Sequence, residues 1–218
     1  SAASSDYPLR DVYKRQELAD TRKEFKDQNQ TLKRQRFEST FFNLINVHHT
    51  LTERIVFVDN DKNYEGRDAI RIIYQNFVNV YRETLRRHQV AELTKETIVL
   101  HQQMTVNAFT ENYMKYEAHI AHYFRNFVAL ANFTKMSDLI SDDERKFYYN
   151  IIRSQLNSYE VVLHFYNFHV GFAMQEKGLY NDLLLGAILF SDHLPDVKHS
   201  FLFDPPNIVE AALSIKPF

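Results

Sequence analysis

The sequence predicts an all-α fold: a single-domain bundle of about six helices with a long N-terminal helix. Proline placement is the first reason. Of 5 Pro, only Pro8 precedes Pro195, so nearly the whole chain runs without a helix breaker. The second is that Gly number only 4 in 218 residues. The third is that apolar residues recur at steps of three and four, whereas strand-like alternation is scarce. Hydrophobic residues at 44% against 25% charged are enough to build a core.

The first sixteen residues are set aside. DVYKRQ, Asp11–Gln16, is the in-frame translation of a transposon mosaic end used in sequencing libraries, and Ser1–Ser4 resembles the neighbouring adapter. Residues 1–16 are therefore read as an adapter-derived segment, the alternative being a disordered polar terminus. A stalk-like helix is expected over 17–36. Its apolar stripe, Leu18, Phe25 and Leu32, is thin: enough to lean on a neighbour, weak as a coiled coil. From Phe37 the stripe thickens through Phe41, Leu44, His48, Leu51 and Ile55, widened by Phe42 and Ile45, which predicts a core helix.

Asp59–Gly66, DNDKNYEG, reads as a turn-rich break. A helix over about Arg67–His88 follows, with Ile70, Ile73, Tyr74, Phe77 and Tyr81 inward. Two more are expected, from about Lys95 to Tyr113 and from Tyr113 to Lys135, joined by a kink. Ser141 before Asp142, Asp143 and Glu144 marks a capped helix start with capping-box spacing. That helix is expected to reach Val170, where Gly171 and Gly178 weaken it. A short apolar helix over Leu179–Phe190 and a last one over Ile208–Leu213 complete the set. The body is thus placed at 37–190 and a loop-rich tail at 191–218.

Composition excludes several functions. A net charge of −2 does not fit a bulk polyelectrolyte binder, so no strong nucleic-acid signal is present. Absence of Cys removes disulfides and thiolate metal sites. The longest apolar run, Leu183–Phe190, falls short of the ~20 residues that span a bilayer. No nucleophile elbow and no Gly-rich phosphate loop is present, and no cofactor is expected.

Two catalytic constellations can be drawn. His119 and His122 at i, i+3, with Glu160 and His164 at i, i+4, offer four metal ligands if their helices face each other. Structural histidines are the plainer reading, and the assignment of metal is none. Arg82 and His88 have the Arg-x4–6-His spacing of HEPN ribonucleases, against the plainer reading of cations at a helix C-terminus. The catalytic assignment stays unknown, and the chain is read as leaning away from enzymes.

The oddest feature is RSQLNSYEVVLHFYN. Arg153, Asn157, Glu160, His164 and Asn167 make one polar line on a helix whose other faces are apolar. An interhelical network reaching Arg125 and the His119/His122 line is the favoured reading, over a wet surface or a catalytic site.

Four ordered blocks resemble a known family. They are FESTFFNLINVHH (Phe37–His49), EGRDAI (Glu65–Ile70), HYFRNFVAL (His122–Leu130) and IIRSQLNSYEVVLHFYN (Ile151–Asn167). Together, over Arg34–Asn167, they are similar to the phage abortive infection family with the AbiC-like domain. MQEKGLYND departs from the family's pattern beyond Gly171. The resemblance implies a bacterial antiphage role, as a sensor or effector module, with a ribonuclease toxin or an oligomerising scaffold as alternatives. It carries over Phe37, Glu38, Phe41, Phe42, His48, Gly66, Arg67, Tyr123, Arg125, Arg153, Gln155, Glu160, Tyr166 and Asn167 as the residues of interest. It implies a cytoplasmic protein tethered to the inner membrane through helices upstream of Glu17. The expected partners are a phage or host component, a second copy of the chain, and that membrane.

Overall fold

The structure, a computed structural model, describes residues 6–90, 94 and 96–170, with the backbone alone for 6–11 and 168–170. The helices expected over 179–190 and 208–213, and the tail 191–218, lie outside the described residues. Five helices and one hairpin are described: α1 (Asp6–Glu53), β1 (Val56–Asp59), β2 (Lys62–Glu65), α2 (Gly66–Arg87), α3 (Ile98–Met136), α4 (Asp142–Ser154) and α5 (Ser158–Val170). The all-α expectation holds. No helix among the described residues is long and apolar enough to cross a membrane.

α1 is 48 residues, about 72 Å, and starts at Asp6 rather than Glu17. Nothing after Pro8 interrupts it, and Pro8 sits in the first turn, where its missing N–H costs nothing. The helix buries Phe37, Phe41, Ile45, His48 and Thr52. Phe42, expected on that face, is 47% exposed, because the buried stripe advances by four and three from Phe37 and leaves position 42 outside it. Arg34 fixes the exit of the free half. Its Nε meets Glu38 Oε1 at 3.1 Å, its Nη1 pairs with Glu144 of α4, and Tyr148 Oη donates to Glu38 at 3.1 Å.

The turn-rich break at DNDKNYEG is the turn and second strand of a hairpin. Val56 pairs with Glu65, and Asp59 with Lys62, in antiparallel register. Asn60 and Asp61 both have positive φ, 49° and 60°, the requirement of a two-residue type I′ turn. The local signal is Asn-Asp, two residues that tolerate positive φ, after the β-prone Val-Phe-Val. Phe57 anchors the hairpin on Tyr116 of α3, with ring centroids 4.8 Å apart. Gly66 closes it: its N–H donates to Ile55 O at 2.8 Å, and its φ is +55°.

α3 is one 39-residue helix, not two. It packs against every other helix, so its apolar residues spread round the cylinder and blur the single stripe that a two-helix reading assumes. Asn112 Nδ2 donates to Ile73 O of α2 at 3.2 Å. Arg145 of α4 ends α3: its guanidinium donates to Thr134 O, Lys135 O and Ser137 O, satisfying terminal carbonyls. Ser141 and Glu144 form the expected capping box at the start of α4. The N–H of Ser141, then Arg34 and the Ser141 hydroxyl, hold the Glu144 carboxyl down at about 2.

A methyl at Gly66 would meet Glu53 Cα at 3.7 Å, an ordinary contact, so only the left-handed backbone resists substitution. Gly66→Ala is therefore expected to cost about 1 kcal/mol and Gly66→Asn less, read from urea unfolding midpoints.

Candidate functional site

The expected long helix over Ser141–Val170 is broken. α4 ends at Ser154, Gln155–Asn157 turn, and α5 begins at Ser158. Asn157 is the reason. Its Oδ1 accepts from Tyr159 N at 3.0 Å and Glu160 N at 2.9 Å, while Asn157 N donates to Glu160 Oε2 at 2.6 Å. This is a reciprocal cap, with Asn157 and Glu160 in the same relation as Ser141 and Glu144. Asn157 and Glu160 are thus one helix start, not two rungs of a continuous stripe, and Arg153 belongs to the preceding helix.

Past that cap the polar side chains turn inward. Glu160 is 1% exposed, His164 0% and Asn167 2%. The helices they meet are not the expected ones. Arg125 and His122 are exposed, and the His119 ring leans on Phe57 of the hairpin instead. A helix turns each residue 100° from the last, so Ile120, Tyr123, Phe124 and Phe127 face inward while His122 and Arg125 do not. His164 stacks on Phe127 at 3.9 Å between centroids, meets Tyr123 at 4.9 Å and takes the edge of Phe124 at 5.1 Å. His48 of α1 stacks on Tyr123 at 4.8 Å and lies 6.2 Å from His164.

Four elements therefore close round one point: His48 from α1, Arg67 from the start of α2, Tyr123 from α3, and Glu160 with His164 from α5. Both ring nitrogens of His48 and of His164, Tyr123 Oη and Glu160 Oε1 are buried without a hydrogen-bond partner. Tyr123 and Glu160 Oε1 are near enough to act on each other's charge, yet outside hydrogen-bond geometry. The neutral Asn126 amide likewise stands close enough to His48 to favour its protonated form, while its Oδ1 makes no bond of strict geometry. Arg67 forms the lid. Its Nε stands 3.9 Å from Glu160 Oε1, and its Nη2 donates to Gln155 O at 2.9 Å. His49 Nε2 lies 2.9 Å from Gln155 Oε1 beside it.

Burial sets the electrostatics. It pushes the Glu160 carboxyl up, against the Asn157 N–H and Arg67, which pull it down. It raises the Tyr123 hydroxyl well above its usual range, helped by the Glu160 charge. It lowers His48 to about 4, with His49 adding to the effect, and holds His164 well below the usual histidine range. Both histidines are neutral at pH 7.

The remaining expected residues scatter. Phe37, Phe41 and Glu38 group with Tyr148 near the exit of α1, the two Phe rings each 4.9 Å from Tyr148. Tyr166 packs on Phe77 and Phe109. Gly66 serves the hairpin. Arg153 is half-buried at the end of α4. Arg82 and His88 are both exposed, with His88 as the C-cap of α2. Among the described residues no three His, Asp or Glu side chains are placed to hold a metal ion, which removes the His119–His122–Glu160–His164 quartet. Sequence reasoning did not single out His49, Asn126 or the capping role of Asn157. Only the last had a local signal, Asn157 three residues before Glu160.

The comparison with known families bears on this half of the molecule. Residues 115–180 match the family model of "Putative phage abortive infection protein". This is the family that the sequence blocks resemble. The matched segment holds Tyr123, Arg125, Arg153, Gln155, Glu160, His164, Tyr166 and Asn167, while Phe37 to Arg67 lie outside it. No curated protein and no solved structure matches the chain.

The pH signs of the cluster oppose each other. His48 and His164 have folded values below 6.5, so the unfolded chain takes up protons first and stability falls as pH drops from 6.5 to about 4. Glu160, raised above 4.5, instead costs stability as pH rises through its folded value. His48 alone accounts for a loss on the order of 3 kcal/mol across its window. Urea midpoints are expected to fall between pH 7 and pH 4.5, and His164→Phe, which keeps the ring and removes the unpaired nitrogens, should flatten that slope without loss at pH 7. Asn157→Ala removes the cap of α5 and should lower stability by about 1 kcal/mol, more than Ser154→Ala on the same measurement.

Proposed function

We propose that the chain is a non-enzymatic sensor or effector module of a bacterial abortive infection system. The abortive infection segment supplies most of the buried cluster, and the cluster is sealed. That sealing is the observation carrying the non-enzymatic reading. A general acid or base must come within hydrogen-bond reach of a substrate proton. His48 and His164 instead lie under Tyr123, Phe124 and Phe127, and Glu160 lies under Arg67. Such an arrangement favours a packing that signals by rearranging over one that turns over a substrate.

The layout that accompanies this reading is an arm over 17–36 and a defence body from Phe37 onward. An inner-membrane tether upstream of the arm, which the family resemblance implies, fits α1 as the link between anchor and body. A phage or host component is the expected trigger.

The test is phage challenge of cells carrying the gene. Plating should drop for at least one phage, infected cells should die before releasing progeny, and ribosomal and transfer RNA should stay intact. Arg67→Lys, which keeps a cation beside Glu160 and loses the fork that also reaches Gln155 O, should weaken protection about tenfold or more with the fold retained. RNA cleavage on infection would overturn the non-enzymatic reading, and full plating across a broad phage panel would overturn the defence role.

A further inference from the structure

From Val12 to Lys33 every side chain of α1 is exposed. A helix bare on all sides lacks the packing that usually supplies helical stability. Its own charges help little. From Glu17 to Lys33, Asp20 with Glu24 and Arg22 with Lys26 are like-charged i, i+4 pairs, against one opposed pair, Lys23 with Asp27.

Its exposed apolar residues are not scattered. From Glu17 on they are Leu18, Phe25, Leu32, Phe42 and Val47. With Leu18 at heptad position a, Phe25 and Leu32 are also a, and Phe42 is d. Leu18, Phe25 and Leu32 are 58%, 67% and 52% exposed. The rest of that seam is Thr21, Gln28, Ser39, Gln35 and Asn46. None of these nine positions is charged, although ten of the residues from Leu18 to Asn46 are. The seam stays open along the body too, because Phe37, Phe41, Ile45, His48 and Thr52 bury the f, c and g side.

The charges decide what covers the seam. On its g and c flank stand Glu17, Asp20, Glu24 and Asp27, and the one cation there, Arg34, is already paired with Glu38 and Glu144. On its e and b flank stand Arg22, Lys26, Lys33 and Arg36. In a parallel pair, g of one helix faces e of the other, so the acidic flank meets the basic one and Glu17 meets Arg22 of the second copy. In an antiparallel pair, g faces g and e faces e, and like charges meet. We propose that α1 pairs with α1 of a second copy as a parallel, in-register, two-stranded coiled coil. The Gln28 and Gln35 layers hold the register and keep the pairing reversible. Two bodies then sit side by side at the same end of a shared arm. This inference is independent of the defence reading, since it is read from mass alone.

Sedimentation equilibrium of the whole chain, up to about 100 μM, should show a reversible monomer–dimer equilibrium. Phe25→Lys should give monomer with the body still folded and helical circular dichroism reduced by no more than the arm's share, because Phe25 is 67% exposed and lies outside the packed body. Glu17→Lys should raise the dissociation constant about fivefold or more, and Glu17→Lys with Arg22→Glu should restore it. The chain has no Cys, so Leu18→Cys provides a single thiol. On mild oxidation it should crosslink to itself. Monomer at the highest concentration overturns the pairing. A dimer that survives Phe25→Lys overturns the seam. A dimer in which Leu18→Cys fails to crosslink, while a mixture of Leu18→Cys and Leu32→Cys succeeds, overturns the parallel register.

Discussion

Keeping Glu160 and two histidines out of water is the constraint around which the described body is arranged. An isolated buried carboxylate is costly, so one oxygen of Glu160 is held by the Asn157 N–H and the other stands near Arg67. Each of those partners has structural prerequisites. Asn157 can cap only if α4 stops at Ser154. Arg67 reaches Glu160 only if the hairpin ends at Gly66 and delivers α2 at the right height, where Gln155 O accepts from the same guanidinium. The turn between α4 and α5, the hairpin closure and the start of α2 are thus fixed by one another.

The histidines are accommodated differently. Neither is paired within hydrogen-bond geometry; both are neutral and serve as aromatic rings among aromatic rings. That choice suits a chain with 18 Phe, 13 Tyr and no Trp. Flat rings at 4–6 Å fill the space between α1, α3 and α5, and the price is four unpaired ring nitrogens in an apolar setting. An arrangement of this kind is sensitive to anything that hydrates or charges it, which connects the sealed core to the proposed signalling role. α1 belongs to both parts: one side of its C-terminal half packs His48 into the cluster, and the opposite seam runs outward along the arm.

Local signals survived folding where they were self-contained. The Ser141–Glu144 box needs nothing beyond four residues, and it forms as read. The same chemistry at Asn157–Glu160 went unread, because the strongly apolar run from Val161 to Tyr166 made a continuous helix look natural. The hairpin was hidden for a related reason: four-residue strands are too short for alternation to stand out. α3 reads as two segments meeting at a kink because it is wrapped by neighbours, so its buried positions do not follow one stripe. Phe42 reads as core because it is an aromatic beside Phe41, whereas only its angle on the helix settles the matter.

The sequence by itself determined the helical class, the long uninterrupted α1, the capped start of α4 and the family resemblance in the segment that carries Tyr123 and Glu160. These depend on proline placement, periodicity, short-range caps and residue order, all of which are properties of the chain taken locally. Only the tertiary structure decided that Glu160 answers to Arg67 rather than Arg125, that His164 meets His48 rather than His119 and His122, and that Arg82 and His88 stay in solvent. Those pairings depend on the rotation of each helix about its axis and on where the turn at Gln155–Asn157 redirects α5. A rotation of one residue, 100°, exchanges one set of partners for another, and packing between distant segments is what fixes it.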